Sequence, residues 1–296
     1  MTDRLEGKPV AEAMNAASRA AIAAAPNRPP PSLVSVHRGV DSPFQFYLRR
    51  QAKAAAAVGI TFRDEALAPG AGPAELEDRM RGLDRDPGVH AVLLEHPLPP
   101  PFDFYRAVAA LRPEKDVDGV GATNLGRLVA QQPTHVPAVA LAAVAVARHY
   151  QLPLQGERVA VLGRSETVGL PLVLLLAGKS VGIHATVTLL HSQTRDLAGA
   201  LAGSRTIFSC VGRPNLLTRE VVPKGAHVVD VGTSSIPDPK RPGSQIGVGD
   251  ADAASLEGWA GSLTPVPGGV GPVTVAQLMA STVLAWQRLH RPEGVA

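Results

Sequence analysis

The segment RVAVLGRSETVGLPLVLLLAG, residues 158–178, constrains this chain more than any other stretch. It reads as a short apolar strand, a turn carrying Gly163 and Gly169, and an apolar helix, the opening of a βαβ series. Further strands are expected at 185–190, 206–210 and 227–231. This is the rhythm of a dinucleotide-binding domain, in which glycines let the backbone approach a pyrophosphate at a helix N-terminus. The spacing is not G-x-G-x-x-G, so an ordinary strand-to-helix turn also fits it. The next strand bears on the nucleotide. NAD-binding folds carry an acidic residue near its end to hold the ribose 2′-hydroxyl. Here ATVTLLHSQTR ends in His191 and Ser192, with no acid. Arg164, Ser165 and Ser192 can instead form a cationic, hydrogen-bonding cradle for a 2′-phosphate, which favours NADP over NAD.

The first half alternates as well. Residues 9–25 read as an alanine-rich helix stopped by PNRPPPS, 33–37 (LVSVH) as a buried strand, and 43–58 as a helix closed by Gly59. HAVLLEHPLPPPFD pairs a strand at 90–95 with a proline-rich stop. A helix is expected near 104–111, then a turn-rich loop through RPEKDVDGVGATNLGRL. TSSIPDPKRPGSQ reads as a surface loop, 137–150 as a helix, and 273–289 as a helix long enough to return to the first domain. The expected class is therefore α/β, with two domains. Residues 1–137 plus 274–296 form the first, and 138–273 form a Rossmann-like second.

Composition narrows the function. Apolar residues make up 45% of 296, enough for a core in each domain. The formal charge of +3 comes without a dense basic run, so nucleic acid is not expected as a partner. Cys210 is the single cysteine, so no intramolecular disulfide is possible and a reducing, cytoplasmic compartment is the simplest home. No signal peptide is read at the N-terminus and no membrane span elsewhere. The histidines lack metal-ligand spacing, so no metal is expected.

DSPFQFYLRRQAKAAAAVGI, residues 41–60, carries a candidate reactive group. On a helix, Tyr47 shares a face with the residue four places on. A lysine there would make a proton-handling couple with the phenol, but this chain has Gln51. Lys53 lies about 240° round the helix from Tyr47, at about 3.6 residues per turn.

Five stretches taken together resemble the FolD family, the methylenetetrahydrofolate dehydrogenase/methenyltetrahydrofolate cyclohydrolases. They are RPEKDVDGV…TNLGRL, VAVLGRSETVGLP, ATVTLLHSQT, VVDVG and TPVPGGVGPVTVAQL. The resemblance implies a homodimer of two-domain chains, with folate in the cleft and NADP on the second domain. It implies that Asp118 holds the pterin ring, where a carboxylate accepts paired N–H donors from the aminopyrimidine edge. It implies that PVPGGVGP, with Gly268, Gly269 and Pro272, lines the cleft between folate and nicotinamide, and that Pro97 belongs to the folate side. The nucleotide set it implies is Gly163, Arg164, Ser165, Val168, Gly169, His191, Ser192 and Gly232.

The departures cluster on the folate side. Family members carry a lysine at the position of Gln51, and a Gln-Leu-Pro-Leu-Pro run where this chain has EHPLP, with Glu95 and His96. The usual serine before the tyrosine gives way to Pro43 and Phe44. Pro-Cys-Thr-Pro becomes PTHVP, with His135 and Val136, and Ile-Asn after VVDVG becomes Thr233 and Ser234. Extra residues stand in AGKSVGIHATV.

Hydride transfer from 5,10-methylenetetrahydrofolate needs positioning above all, whereas hydrolysis of the methenyl cation needs proton transfer, for which an amine is suited and an amide is not. The expectation is an NADP-dependent dehydrogenase with weak or absent cyclohydrolase activity, and Tyr47, Gln51 and Glu95 as its catalytic residues. Glu95 can stabilise a one-carbon cation, act as a base, or simply hydrogen-bond Gln51. His96 and His135 read as packed or surface histidines. A folate-dependent one-carbon transfer to another acceptor, and a non-catalytic folate- or NADP-sensing paralogue, stand as alternatives.

Overall fold

A computed structural model describes residues 1–39, 42–179, 183–238, 241 and 243–290, with the side chains of 42–46 outside the description. In chain order the first elements are β1 (Asp3–Arg4), α1 (Gly7–Ala23), β2 (Ser32–His37), α2 (Ser42–Val58) and β3 (Thr61–Ala66). Next come α3 (Pro73–Arg85), β4 (Ala91–Leu94), α4 (Phe104–Val108), α5 (Ala122–Val129) and α6 (Ala138–His149). Then follow β5 (Arg158–Leu162), α7 (Gly169–Ala177), β6 (Thr186–Leu190), α8 (Leu197–Leu201), β7 (Thr206–Ser209) and β8 (His227–Asp230). The chain closes with β9 (Ser234–Pro237), β10 (Gln245–Val248), α9 (Ala253–Leu256), β11 (Ser262–Leu263) and α10 (Val270–Leu289). The compact units are Met1–Ala11 with Val139–Thr274, and Glu12–Ala138 with Val275–Ala296. Residues 1–11 thus sort with the nucleotide-side residues rather than with those that follow them, because β1 pairs with β11.

In the unit of residues 12–138 and 275–296, β2 lies between β3 and β4, all parallel. Side chains alternate across such a sheet. Val34 and Val36 of β2, with Val92 and Leu94 of β4, pack on one face with Leu76, Met80 and Leu83 of α3. Leu33, Ala91 and Leu93 pack on the other with Ala55 and Val58 of α2 and Leu278, Met279 and Trp286 of α10. The C-terminal helix therefore returns to this unit. The α2-facing register continues past the apolar layer to Ser35, His37 and Glu95, so the carboxyl ends of the strands turn polar on the face that α2 covers.

In the other unit, six parallel strands run in the order β1-β11-β8-β7-β5-β6. After β1 at the edge, the chain re-enters this sheet at β5, goes outward to β6, and returns to β7 on the other side. Strand order therefore reverses between β5 and β7, where α/β sheets open a crevice for ligands.

Two expected loops hold regular structure. Within RPEKDVDGVGATNLGRL the chain forms α5, with Leu128 buried and Asn124 donating to Asp116 and to the Pro113 carbonyl. TSSIPDPKRPGSQ carries β9, which pairs antiparallel with β10; residues 239, 240 and 242 lie outside the description, as do 180–182 of the expected insertion. Strand β3 and helix α3 add to the expected elements. Among the described residues no helix is long and apolar enough to cross a membrane.

Candidate active site

Two polar constructions stand out, one in each unit. The first begins with PEKDVDG. Lys115 is buried, and its Nζ donates to the carbonyls of Leu83, Asp84 and Asp86 at 3.1, 2.7 and 2.7 Å, satisfying acceptors that the end of α3 leaves open. Asp116 accepts from the backbone N–H groups of Gly119 and Gly121 and from Asn124 Nδ2. Gly119 has φ +69°, and a Cβ there would stand 2.7 Å from the Val136 backbone. Lys115 and Asp116 thus build the turn, and Asp118 is what the turn presents. The backbone N–H of Ala138, the first residue of α6, donates to Asp118. Burial, then Asp116 and Glu95 close by, nevertheless push the Asp118 carboxyl up to about 7.

Glu95 follows β4 directly and is 6% exposed. Its Oε1 accepts from Ser35 Oγ at 2.9 Å and from Gln51 Nε2 at 2.7 Å. Burial raises its pKa, and those two hydrogen bonds oppose the shift. Gln51 is fully buried on α2, and its Oε1 has no hydrogen-bond partner among the described residues. Tyr47, one turn earlier and half-buried, is held well above the ordinary phenol range by burial, with Glu95 and Asp118 adding to it. The structure therefore brings Tyr47, Gln51, Glu95 and Asp118 together. Lys53 is exposed on α2, as its angular offset requires. His37 Nε2 pairs with Asp64 Oδ1 at 2.6 Å beside this cluster. Pro97 is exposed and follows a cis bond after His96, whose exposed ring stacks edge-on against Phe104. His135 is packed, with Nε2 on the Glu114 carbonyl at 3.0 Å, and burial pushes its pKa down to about 4. The serine position before Tyr47 lies outside the described side chains.

The second construction is a cavity of about 510 Å³ at the carboxyl ends of β5, β6 and β7. Gly163, Arg164, Ser165, His191 and Ser192 line it, and so does Arg213; no acidic residue does so among the described residues. Val168, Gly169 and Gly232 stand outside the lining. Gly169 is needed by the loop itself, since a Cβ there would stand 2.0 Å from the Gly163 carbonyl oxygen. Gly163, at φ +108°, packs against Cys210. In the glycine loop, a Cβ on Gly269 would stand 2.7 Å from Pro265 O, whereas Gly268 faces more open space at φ +117°. Pro272 lies in the first turn of α10. The fit to an NADP-type ligand is chemical: two guanidinium groups, an imidazole and hydroxyls, with no carboxylate to repel a phosphate.

Residues 5–118 match the catalytic domain of tetrahydrofolate dehydrogenase/cyclohydrolase, and residues 137–290 match its NAD(P)-binding domain. This chain belongs to the tetrahydrofolate dehydrogenase/cyclohydrolase family. A bifunctional FolD protein of Cereibacter sphaeroides is 40% identical over 268 residues, covering 90% of this chain and 88% of its own. The methylenetetrahydrofolate dehydrogenase-cyclohydrolase of Trypanosoma brucei, solved with NADP cofactor and inhibitor, is 34% identical at a TM-score of 0.91. That alignment covers 98% of this chain and 99% of the trypanosomal one. A 5,10-methylenetetrahydrofolate dehydrogenase from Bombyx mori is 32% identical at a TM-score of 0.90, covering 98% of this chain and all of its own. Within this family fold, Ser35, Arg213 and Asp250 are polar residues near the two constructions that sequence reading did not single out. Only the alternation of LVSVH, which sets Ser35 on the same face as Leu33, carried a readable signal.

Proposed function

We propose that this chain oxidises 5,10-methylenetetrahydrofolate to 5,10-methenyltetrahydrofolate with NADP⁺, and hydrolyses the product weakly or not at all. It is an enzyme of the family, with NADP as cofactor and a tetrahydrofolate derivative as substrate. The bound nucleotide supplies a hydride acceptor. The protein's own work in the first step is placement: Asp118 accepts the N–H groups of the aminopyrimidine edge, Tyr47 orients the folate, and the PVPGGVGP loop, with Pro97, lines the substrate's path. Gly163, Arg164, Ser165, His191 and Ser192 hold the nucleotide, Gly169 and Val168 shape its loop, and Gly232 leaves room for the Asp250 carboxyl.

One observation carries the weak second step: the buried Gln51 amide donates to Glu95 where the family has an amine. Hydrolysis requires a group that takes and returns a proton near neutral pH. An amide does not titrate, and among the described residues the ionisable neighbours acting on Tyr47 and Glu95 include Asp118, Arg50, His37 and Asp64 but no lysine. Glu95, bonded to Gln51 and with its pKa raised, is the carboxyl that stands beside the missing amine's position to take over.

The test is an absorbance time course with methylenetetrahydrofolate and NADP⁺ that follows NADPH and methenyltetrahydrofolate separately. The expected result is equal accumulation of both, with methenyltetrahydrofolate decaying at its spontaneous rate. Fast decay would overturn the reading of Gln51 and move the proton chemistry to Glu95. Folate consumption without NADPH would favour one-carbon transfer to another acceptor, which the Gln51–Glu95 exchange motivates. The family resemblance also supports a homodimer, expected to give a sedimentation mass twice 30.8 kDa; a monomer mass would refute it.

A further inference from the structure

Two arginines line the nucleotide cavity, and the sequence accounts for one. Arg164 follows the β5 turn; Arg213 reaches the same cavity from the segment after β7. Among the described residues neither guanidinium forms an ion pair. The nearby carboxylate is spent elsewhere. Asp250 is fully buried, and its Oδ2 accepts from Ser209 Oγ at 2.7 Å and from Val211 N at 2.8 Å, while Oδ1 accepts from Arg213 N at 2.7 Å. It thus grips the backbone on both sides of Gly212, whose φ is +71°. Gly232 makes room for it, since a Cβ there would meet the Asp250 carboxyl at 2.2 Å.

We propose that Arg213 is a specificity-determining residue for the phosphorylated dinucleotide, and that Asp250 is the positioning residue that holds it at the cavity. The proposal rests on the reading of this cavity as the NADP site. A phosphate monoester carries close to two negative charges near neutral pH. A single guanidinium leaves part of that charge uncompensated, and a second one lining the same cavity meets it with charge-assisted hydrogen bonds. Asp250 serves this arrangement because its oxygens are taken up by the Ser209 hydroxyl and two backbone N–H groups. It therefore fixes the path of residues 211–213 without drawing either arginine into an ion pair.

The experiment is calorimetric titration of the whole protein with 2′,5′-ADP and with 5′-AMP, which differ in the 2′-phosphate and need no turnover. In Arg213→Gln the dissociation constant for 2′,5′-ADP is expected to rise about 10-fold, with 5′-AMP changed less than about 3-fold and the melting temperature unmoved. Arg213→Lys should recover part of the loss. In Asp250→Asn one amide N–H must face a backbone N–H, so the preference for 2′,5′-ADP should fall as well. Adding Asp250→Asn to Arg213→Gln should lower the preference no further if Asp250 acts through Arg213. Equal weakening for both ligands in Arg213→Gln, or an unchanged preference, would overturn the proposal. So would an additive double variant, for the positioning role. A wild-type protein that does not prefer 2′,5′-ADP at all would instead refute the NADP reading itself.

Discussion

Asp118→Asn should lower kcat/KM for the folate by about 10²–10³ while making the protein more stable at pH 8. The first effect follows from losing paired charge-assisted hydrogen bonds, worth about 1.5–3 kcal/mol each, at about 1.4 kcal/mol per tenfold in rate. The second follows from linkage. The folded-state carboxyl stands at about 7 and the unfolded one at 3.8. Between those values the folded state binds more protons, so stability falls as pH rises and the loss is complete above pH 7. Asparagine removes that cost and keeps an oxygen for the Ala138 N–H. The gain at pH 8 should be roughly 1–3 kcal/mol after discounting for partial solvent access, and should vanish near pH 4. The logarithm of the wild-type kcat/KM should rise with unit slope below pH 7 and level off above it as the carboxylate forms. Thermal unfolding at pH 4 and 8, with kinetics across the same range, checks all three. A variant with lower stability at pH 8, or with intact kcat/KM, would dismiss this account of Asp118.

Gln51→Lys should restore methenyltetrahydrofolate hydrolysis, by about 10²-fold or more if the amine becomes the general acid–base. The single change is expected to fall short of the full effect. A lysine at this position would meet Glu95 as an ion pair, and an opposite charge so close holds the amine protonated. Combining Gln51→Lys with Glu95→Gln recreates the family pair and should give the larger gain, with hydride transfer little changed. Gln51→Met is the control, expected to gain nothing. If the double variant hydrolyses no faster than wild type, the missing amine is not what limits the second step. The pH profile separates the variants further: the single one should need higher pH to free its amine.

The sequence exposed those parts of the fold whose local chemistry matches their tertiary role. β5, α7 and the Gly163 turn are apolar, glycine-punctuated and contiguous, so one window holds the whole unit. β3 escapes because TFRDEA is an edge strand with mostly exposed side chains, leaving little hydrophobic pattern to detect. α3 was open to reading: Leu76, Met80 and Leu83 recur at helical spacing and are the residues it buries. α5 and the β9–β10 hairpin are hidden by residues that usually mark turns. At the site, Tyr47 and Gln51 are related by helical spacing and could be paired from sequence. Glu95 was reachable only through the family's motif, and its bond to Ser35 depends on the register of β2 against β4. Asp250 and Arg213 meet through a backbone contact, which side-chain chemistry does not advertise.

The edge of the six-stranded sheet has a consequence for how the molecule is made. Asp3 and Arg4 pair with Ser262 and Leu263, and Gly7 N–H donates to the Gly268 carbonyl at 2.8 Å. A Cβ on Gly7 would collide with the Gly269 carbonyl oxygen at 1.7 Å, so the fit is close on both sides. Residues 3–7 therefore meet these partners only once residues 262–268 have been synthesised. The first domain's central strands, β2, β3 and β4, have each other within about 60 residues and can pair long before then. The glycine loop is thus assembled last, from the two most distant ends of its unit. A nascent chain interrupted before residue 262 would lack β11 and the glycine loop, and also α10, whose Leu278, Met279 and Trp286 cover one face of the β2–β3–β4 sheet.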